Sequence, residues 1–451
     1  MPGFKNPTFA PLLITGFTGI ILLFILFLKN QMVSAESPRV QKQQQQISTQ
    51  TVSPNLPDKA IDSLKKADPE TGGGPNTYTG MSPFFEALGH VISDNTTLHI
   101  AYFGDSMIEG DLVTHPLRRR LQKRFGGNGI GFIPITSPQP GFRSTIFQKF
   151  NDDWKVWSFV KPGFQPDVFP GLSGYVFETT EGAETSFRSE KNYGPFSRAM
   201  ILYGGRNTIR LSVVTDTLKN EISLTPTGTV NSFTLARDSI FSSVSLKVTS
   251  SEPGIMYGMN FENGRGVYVD NYAFRGNSGL PLKKIPASVF RGFHTALNDK
   301  LIIIHYGLNV FTPGVEDYNW YEQAMCNVIR HVKEMSPGIP VLMISMPDRA
   351  ALISGEYATP AELPDFIRLQ KRVAENEQVA FFSLFDAMGG VGSMRNWVEG
   401  KTKLAGDDYT HPNGSGASRI AELIYQFLID GYEKSEQQTD SVASTLHAKA
   451  S

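Results

Sequence analysis

The sequence predicts an α/β protein with a mainly parallel sheet flanked by helices and an inserted antiparallel β-sandwich. Short apolar runs alternate with helix-like patterns over 81–135 and again over 281–432, which is typical of strands joined by crossover helices. The stretch between them, about 141–270, instead repeats alternating runs such as TIRLSVV and SSVSLKV. Such runs are typical of antiparallel strands that bury one face.

Four strands and four helices are predicted in the α/β parts. The apolar runs predict strands at 98–103, 301–306, 341–346 and 380–385. The amphipathic patterns predict helices near 112–125, 318–335, 360–376 and 415–430. Each strand precedes a helix, as a parallel sheet requires, because parallel neighbours need long crossover connections.

The composition excludes several classes of function. With 451 residues, 40% of them hydrophobic, the chain is long enough for two folded units with a large core. The 42 Lys and Arg against 43 Asp and Glu leave a formal charge of −1, so there is no overall basic field to bind nucleic acid. The single cysteine, Cys326, excludes an intramolecular disulfide framework and a cysteine metal cluster.

An uncharged apolar run, APLLITGFTGIILLFILFL, occupies Ala10–Leu28 and is about long enough to cross a bilayer as a helix. We expect a short flank at 1–9, a transmembrane anchor or signal sequence at 10–28 and a flexible polar linker at 29–75, with the rest beyond the membrane. The alternative is a secreted protein, because small residues at 33–35 form a signal-cleavage pattern. A second polar stretch, 435–451, predicts a disordered tail.

The residues after the first predicted strand suggest a nucleophile. The strand breaks at Gly104 and is followed at once by Asp105 and Ser106, so a hydroxyl stands at the carboxyl end of a strand. Open α/β sheets carry their sites at that end. Judged from Gly-Asp-Ser alone, a serine that caps the following helix is a commoner explanation than a nucleophile.

A candidate base for this serine lies near the other end of the chain. In AGDDYTHPNGSG, Ala405–Gly416, Asp408 stands three residues before His411. A serine nucleophile needs a base, and the base needs a carboxylate that orients it and stabilises the imidazolium. Asp407 is the nearest rival carboxylate. The same spacing between Asp and His also occurs in surface turns and in metal sites, although the nearby residues lack the pattern of a metal cluster.

Two further stretches contain candidate oxyanion donors. LIIIHYGLNV, Leu301–Val310, ends a strand with Asn309, whose amide is a donor. RGNSGL, Arg275–Leu280, offers the backbone N–H of Gly279 or of Gly276. Taken alone, a turn asparagine and linker glycines explain both stretches equally well.

Taken in chain order, the four stretches described above resemble the sequence blocks of the SGNH, or GDSL-like, hydrolase superfamily. The resemblance covers the α/β parts, 76–140 and 271–434, and the inserted β region, 141–270, lies between its first and second blocks. Met107 stands directly after Gly-Asp-Ser, where the family usually has leucine, and Val310 stands where the family often has Asp. The matching positions are Gly104–Ser106, Gly279 with Gly276 as the alternative, Gly307 with Asn309, and Asp408 with His411.

The resemblance implies a serine esterase built on a flavodoxin-like sheet. Ser106 would be the nucleophile, His411 the base and Asp408 the carboxylate that orients it. The N–H groups of Ser106 and of Gly279 or Gly276, with the Asn309 amide, would form the oxyanion hole. This chemistry needs no metal and no organic cofactor. His115 and His305 lack a carboxylate at such a spacing and are expected to be structural.

A β-rich insert in this position is similar to the arrangement of extracytoplasmic peptidoglycan O-acetylesterases. The resemblance therefore implies removal of O-acetyl or short acyl groups from an envelope polysaccharide by an anchored, periplasmic enzyme. Two alternatives stay open: an O-acyltransferase that uses the same triad, and a non-catalytic envelope protein that binds carbohydrate. Four aromatic residues of the insert would stack on sugar rings if exposed, although core packing is expected for any one of them: Trp154, Trp157, Tyr175 and Tyr203.

Overall fold

The computed structural model describes residues 76–450, apart from 138–140, 142, 161–167, 191–192, 217 and 236–239, and for 439–450 it describes the backbone alone. The predicted flank, anchor and linker, 1–75, lie outside the described residues. Within the described part of the chain, no helix combines the length and the apolar character that crossing a membrane requires.

Eighteen strands, eight α-helices and two short 3₁₀ helices, Glu109–Asp111 and Leu280–Lys284, make up the regular structure of the described residues. The strands, in chain order, are β1 (Thr97–Gly104), β2 (Asn128–Pro134), β3 (Ile146–Phe150), β4 (Lys155–Ser158), β5 (Tyr175–Glu178), β6 (Glu184–Ser189), β7 (Arg198–Gly204), β8 (Ile209–Thr215), β9 (Lys219–Leu224), β10 (Asn231–Thr234), β11 (Ser243–Val248), β12 (Ile255–Asn263), β13 (Gly266–Ala273), β14 (Asp299–His305), β15 (Val341–Ile344), β16 (Ala351–Ile353), β17 (Glu356–Ala358) and β18 (Ala380–Phe382). The helices are α1 (Ser82–His90), α2 (Thr114–Phe125), α3 (Ala287–Leu297), α4 (Asn319–Met335), α5 (Leu363–Asn376), α6 (Leu384–Met388), α7 (Ser393–Glu399) and α8 (Gly414–Ala450).

A five-stranded parallel sheet, in the order β13-β1-β14-β15-β18, forms the centre of the α/β part. Taken in chain order among themselves, these strands have the 2-1-3-4-5 arrangement of a flavodoxin-like sheet. Every residue of β1 is buried, as expected for a parallel strand covered on both faces. The predicted fold class is confirmed, and the four predicted strands are all in this sheet.

The helices that flank this sheet follow the expected amphipathic spacing. In α4 the buried side chains recur every three or four residues along one stripe, so that a single face packs on the sheet. They are Tyr321, Met325, Val328, Ile329 and Val332.

Strand β13 corrects the predicted limits of the insert. The sequence predicts an insert that extends to 270, yet β13 pairs in parallel with β1 from Gly266 to Ala273. Its burial is nearly continuous rather than alternating, which is typical of a strand covered on both faces. At the other limit, β2 pairs antiparallel with β12, so the antiparallel strands begin at Asn128 rather than after 141.

The antiparallel strands form two sheets. One contains β10-β7-β12-β5-β4 with β2 paired to β12, and the other contains β3-β6-β11-β8-β9. Side chains from both sheets, such as Phe187 of β6 and Met259 of β12, belong to one hydrophobic cluster separate from that of the parallel sheet. Two sheets that share a core in this way form the β-sandwich that the alternating pattern predicts.

The last helix is longer than predicted. α8 continues to Ala450, whereas the polar composition after 435 predicts disorder. Neither Gly nor Pro occurs after Gly431, and the stretch is rich in Ala, Glu, Gln and Lys, which are good helix formers. The helical backbone therefore has no residue that would end it.

Candidate active site

The turn after β1 presents Ser106. Gly104 is the last residue of β1. A Cβ at this position would lie 2.9 Å from Ile108 Cδ1 and 3.2 Å from the His305 carbonyl oxygen, which explains why the residue is glycine. Asp105 holds the turn, since its Oδ1 accepts the N–H of Met107 at 3.0 Å. Ser106 does not cap a following helix, because the cap positions of the 3₁₀ helix at Glu109–Asp111 and of α2 are occupied by Ile108 and Val113. The serine is instead half-buried in a tight turn at the carboxyl end of a central strand.

Ser106, His411 and Asp408 form a hydrogen-bonded relay. The Ser106 Oγ lies 2.9 Å from His411 Nε2, and His411 Nδ1 lies 2.8 Å from Asp408 Oδ2. An ionised carboxylate only accepts, so the imidazole carries its proton on Nδ1 and leaves Nε2 to accept the serine hydroxyl. The relay therefore has the geometry of a nucleophile with an oriented base.

A short loop before α8 fixes the positions of Asp408 and His411. Asp408 Oδ1 accepts the N–H of His411 at 3.0 Å, and Gly406 donates its N–H to the His411 carbonyl at 2.9 Å. Asn413 then caps α8, because its Oδ1 accepts the N–H of Gly416 at 3.0 Å. The Pro-Asn pair after the histidine thus anchors the loop to the helix.

Asp407, the rival carboxylate, is directed elsewhere. Its Oδ1 accepts a hydrogen bond of 2.9 Å from Lys403 Nζ, and both side chains are largely exposed. Asp408 is the carboxylate that contacts His411. Its spacing of three residues from His411 favours Asp408 over Asp407, and the hydrogen bonds of the loop explain why Asp408 is the one that reaches the imidazole.

Two carboxylates near the serine have shifted pKa values of opposite sign. Burial raises the pKa of Asp408, but hydrogen bonds from the His411 side chain and backbone outweigh it and hold that pKa below its usual range. For Asp105, burial outweighs the Met107 N–H, the His411 charge and the Asn309 amide, and the pKa is raised to about 6. Asp408 is therefore ionised near neutral pH, as an orienting carboxylate must be.

Asn309 lies beside the serine turn. Its side-chain amide donates to Asp105 Oδ2 at 3.0 Å and to the Asn277 carbonyl at 3.2 Å. The asparagine is itself exposed just after the end of β14. The amide therefore connects the turn after β1, the end of β14 and the loop after β13.

The structure separates the two candidate glycines. The N–H of Gly279 is donated to Asn277 Oδ1 at 2.9 Å, and the residue is buried. Its φ of +87° and the 2.8 Å that would separate a Cβ from Tyr306 Cδ2 explain why glycine is required there. Gly279, the first choice for the second oxyanion donor, is thus engaged in a local turn. Gly276, the alternative placement, is exposed in the loop after β13.

Sequence reasoning missed three charged residues at this edge of the sheet. Glu109 and Arg275 form an ion pair, with Arg275 Nε 2.7 Å from Glu109 Oε2. Arg349, after β15, is half-buried, and its pKa is lowered by burial although the charge of Asp408 opposes this. The proximity of Glu109 to Ser106 in sequence was a usable signal, whereas nothing local marked Arg349.

The remaining histidines near the site have structural roles. His305 lies 3.0 Å from the Tyr102 hydroxyl through Nδ1, and burial lowers its pKa to about 3. Burial likewise lowers the pKa of His115 to about 3, and its ring meets Tyr193 edge-on. Both are neutral at pH 7. Among the described residues, no group of three or more His, Cys, Asp or Glu side chains is placed to hold a metal ion.

The four aromatic residues proposed for sugar stacking differ in exposure. Trp154 and Tyr203 are 6% and 7% exposed and belong to the core of the antiparallel sheets. Trp157 and Tyr175 are half-buried. Core packing therefore accounts for the first two, and surface for stacking is available only on the second pair.

Comparison with solved structures identifies the architecture. A solved structure of a peptidoglycan O-acetylesterase is 23% identical to this chain and covers 80% of it, with 99% of its own length, at a TM-score of 0.64. A family two carbohydrate esterase from Cellvibrio japonicus is 10% identical and covers 64% of this chain, with 98% of its own length, at a TM-score of 0.28. No protein-family model and no curated protein matches the sequence. The chain has the SGNH-like architecture, with antiparallel strands inserted into a flavodoxin-like sheet.

Proposed function

We propose that the protein is a serine esterase that removes O-acetyl or short acyl groups from an envelope polysaccharide such as peptidoglycan. The observation that carries the proposal is the relay from Ser106 through His411 to Asp408, with contacts of 2.9 and 2.8 Å. Ser106 and His411 are 305 positions apart in the chain, so local structure alone does not explain why they are in contact.

In the first half of the reaction, His411 Nε2 takes the hydroxyl proton as Ser106 Oγ bonds to the ester carbonyl carbon. The tetrahedral intermediate collapses, and the bond to the sugar oxygen breaks. The imidazolium returns the proton to that oxygen, which leaves as a sugar hydroxyl. Asp408, ionised, stabilises the imidazolium while the proton is on His411.

In the second half, a water molecule takes the place of the sugar hydroxyl. His411 removes a proton from it as its oxygen attacks the acyl-serine, and the second collapse releases the carboxylic acid and restores the Ser106 hydroxyl. The same imidazole therefore serves as base and acid in both halves. No metal or organic cofactor takes part.

Charge on the carbonyl oxygen is stabilised by hydrogen-bond donors that follow β1, β13 and β14. The Ser106 N–H, the Gly276 N–H and the Asn309 amide are the donors in this proposal. Asn309 supplies the hydrogen that it now donates to the Asn277 carbonyl, since at 3.2 Å this is the longer of its two bonds. Such a donor acts mainly in the transition state, where the oxygen carries its charge.

The proposed substrate class is supported by the fold shared with a peptidoglycan O-acetylesterase. The inserted strands are shared too, since the likeness covers 80% of this chain. We also propose that Ala10–Leu28 anchors the protein, with the catalytic part in the extracytoplasmic space. Fractionation of cells and mass spectrometry of the N-terminus test this: recovery in the soluble fraction with a mature N-terminus near Glu36 contradicts it.

The activity is tested by acetate release from an aryl acetate and from O-acetylated peptidoglycan, with the full-length protein and with Ser106→Ala. We expect wild-type protein to release acetate from both substrates and the variant to lose at least about 10⁴-fold in kcat. Ser415→Ala is the matched control, because this serine is exposed at the start of α8 and lies outside the relay. Folded wild-type protein that releases no acetate, or releases it equally without Ser106, contradicts the proposal.

A further inference from the structure

A cleft of about 90 Å³ lies beside the serine turn, between the two parts of the fold. We call it the junction cleft. Its lining residues come from the turn after β1, the loop after β13 and the antiparallel strands. Those used below are Glu109, Asp111, Arg143, Gln148, Tyr175 and Arg275.

The junction cleft is adjacent to the relay. Glu109 donates its N–H to the Ser106 carbonyl at 3.4 Å, so it lies one turn from the nucleophile. Burial raises the pKa of Glu109, while the charges of Arg275 and His411 oppose that change, which places the carboxylate within the field of both. Arg275 in turn directly precedes Gly276. A group bound in the cleft therefore lies next to an ester that reaches Ser106.

The base of the cleft is rigid. The buried Asp111 carboxylate accepts from Arg118 Nη2 at 2.9 Å and from Arg143 Nη2 at 3.1 Å. Its backbone has a φ of +68°, in the left-handed region that residues other than glycine seldom adopt. The ion pairs hold the residue in this conformation. The shape of the cleft is therefore set before a ligand binds.

The chemistry of the lining is that of a hydroxyl-rich ligand. Both carboxylates of the lining are held in ion pairs, Glu109 with Arg275 and Asp111 with Arg118 and Arg143, so neither is left to select a cation. Tyr175 adds an aromatic ring that stacks on Phe274 with centroids 4.9 Å apart. Burial raises its pKa to about 12, so the hydroxyl is neutral at pH 7. An aromatic ring beside planar polar groups suits the apolar and polar faces of a sugar.

We propose that the junction cleft is a saccharide subsite that holds a sugar ring of the acetylated glycan beside the ester. This inference rests on the proposed function and extends it, because it assigns the antiparallel strands a part in substrate recognition. The volume has room for several water molecules, which substituents of one ring displace. An aryl acetate lacks that ring and gains nothing from the cleft.

The test compares kcat/KM for O-acetylated peptidoglycan fragments with kcat/KM for an aryl acetate, in the full-length protein and in Tyr175→Ala. We expect the ratio of the two constants to fall about 2- to 13-fold, because an aromatic contact contributes about 0.5–1.5 kcal/mol beyond its area and about 1.4 kcal/mol corresponds to a factor of ten. Tyr175→Phe retains the ring and should keep most of the ratio. Phe147→Ala is the control, since Phe147 is 40% exposed on β3 and packs against Arg188 outside the cleft.

Equal losses on both substrates, or an unchanged ratio in Tyr175→Ala, overturn the subsite. If Tyr175→Ala does not fold, Tyr175→Leu replaces it under the same criterion. If the wild-type protein releases no acetate from either substrate, the proposed function has failed by itself. The subsite is then tested by calorimetry, in which acetylated fragments are titrated into Ser106→Ala protein with and without the additional change Tyr175→Ala. Binding that Tyr175→Ala abolishes supports the subsite, and absence of binding to Ser106→Ala protein overturns it.

Discussion

Asp105 accepts a hydrogen bond from the side-chain amide of Asn309, with 3.0 Å between Nδ2 and Oδ2. This bond joins the turn that carries Ser106 to the end of the neighbouring parallel strand. The two strands are the pair at which the strand order of a flavodoxin-like sheet reverses, which is where such sheets bind ligands. The contact thus holds Ser106 and a candidate oxyanion donor in a fixed relation.

The raised pKa of Asp105 predicts a pH dependence of stability. Its folded pKa, about 6, exceeds the ordinary 3.8, so the folded state holds the proton more tightly than the unfolded state. Ionisation is therefore a cost that appears as the pH rises from about 4 to about 6. Wild-type protein should lose up to about 3 kcal/mol relative to Asp105→Asn over this range. Urea unfolding at several pH values measures it, with the exposed Asp407→Asn as control; a constant difference contradicts the prediction.

Asn309→Ala should lower kcat by about 10²- to 10³-fold with little change in KM. The reason is that the amide binds the oxygen most strongly once it carries charge. Steady-state kinetics with an aryl acetate measure the effect, and Asn327→Ala, which changes an exposed asparagine of α4, is the control. A variant that raises KM at unchanged kcat would place Asn309 in substrate binding instead.

Asp408→Asn and Asp407→Asn form a matched pair of neighbouring substitutions. We expect the first to lower kcat by about 10²- to 10⁴-fold, because an amide at this place no longer selects the imidazole tautomer with its proton on Nδ1. The second should leave kcat near that of the wild type, since Asp407 pairs with Lys403. Comparable losses in both variants would show that the charge of the loop, rather than contact with His411, matters.

Gly279→Ala and Gly276→Ala should differ in stability. A Cβ on Gly279 would lie 2.8 Å from Tyr306 and 2.9 Å from Met325, at a φ of +87°, so we expect a loss of about 2–5 kcal/mol. Gly276 has a φ of +72° but open space around its Cβ, which predicts a loss of about 1–2 kcal/mol. Urea unfolding of both variants measures the difference. Equal losses would contradict the structural role given to Gly279.

A buried ion pair network at the other end of β1 predicts a second pH dependence. His99 lies 2.7 Å from Asp270 and 3.3 Å from Glu262, and although burial lowers its pKa, the two carboxylates raise it to about 10. This stabilisation is complete below the unfolded pKa of about 6.5 and is lost as the pH rises through about 10.

His99→Gln should therefore cost about 3–5 kcal/mol at pH 7, since it removes the charged partner of the buried Asp270 carboxylate, whereas Glu262 keeps its ion pair with Arg198. The difference from the wild type should shrink toward pH 10. Urea unfolding at pH 7 and pH 10 measures it, and His90→Gln, at an exposed histidine of α1, serves as control. A loss that is the same at both pH values would contradict the charged state of His99.

Much of the fold and of the candidate site could be predicted because its signals are local. Each of the four predicted parallel strands is a short apolar run, and the Asp408–His411 spacing and the turn after Gly104 can be read within a few residues. The resemblance to the SGNH superfamily then ordered these blocks. The error in the limits of the insert was also local, because the eight-residue β13 follows the nine-residue antiparallel β12 after a turn of two residues, so local signals group the two strands together.

By itself, the sequence determined the α/β class, the β-rich insert and the residues able to carry ester chemistry, because periodicity and residue type act over short distances. Only the tertiary structure decided that β13 pairs with β1, that Gly279 donates its N–H to Asn277, and that Glu109 and Arg275 form a cleft with Tyr175. These outcomes depend on which distant segments pack together. Their energies come from contacts between residues far apart in the chain, which no local pattern contains.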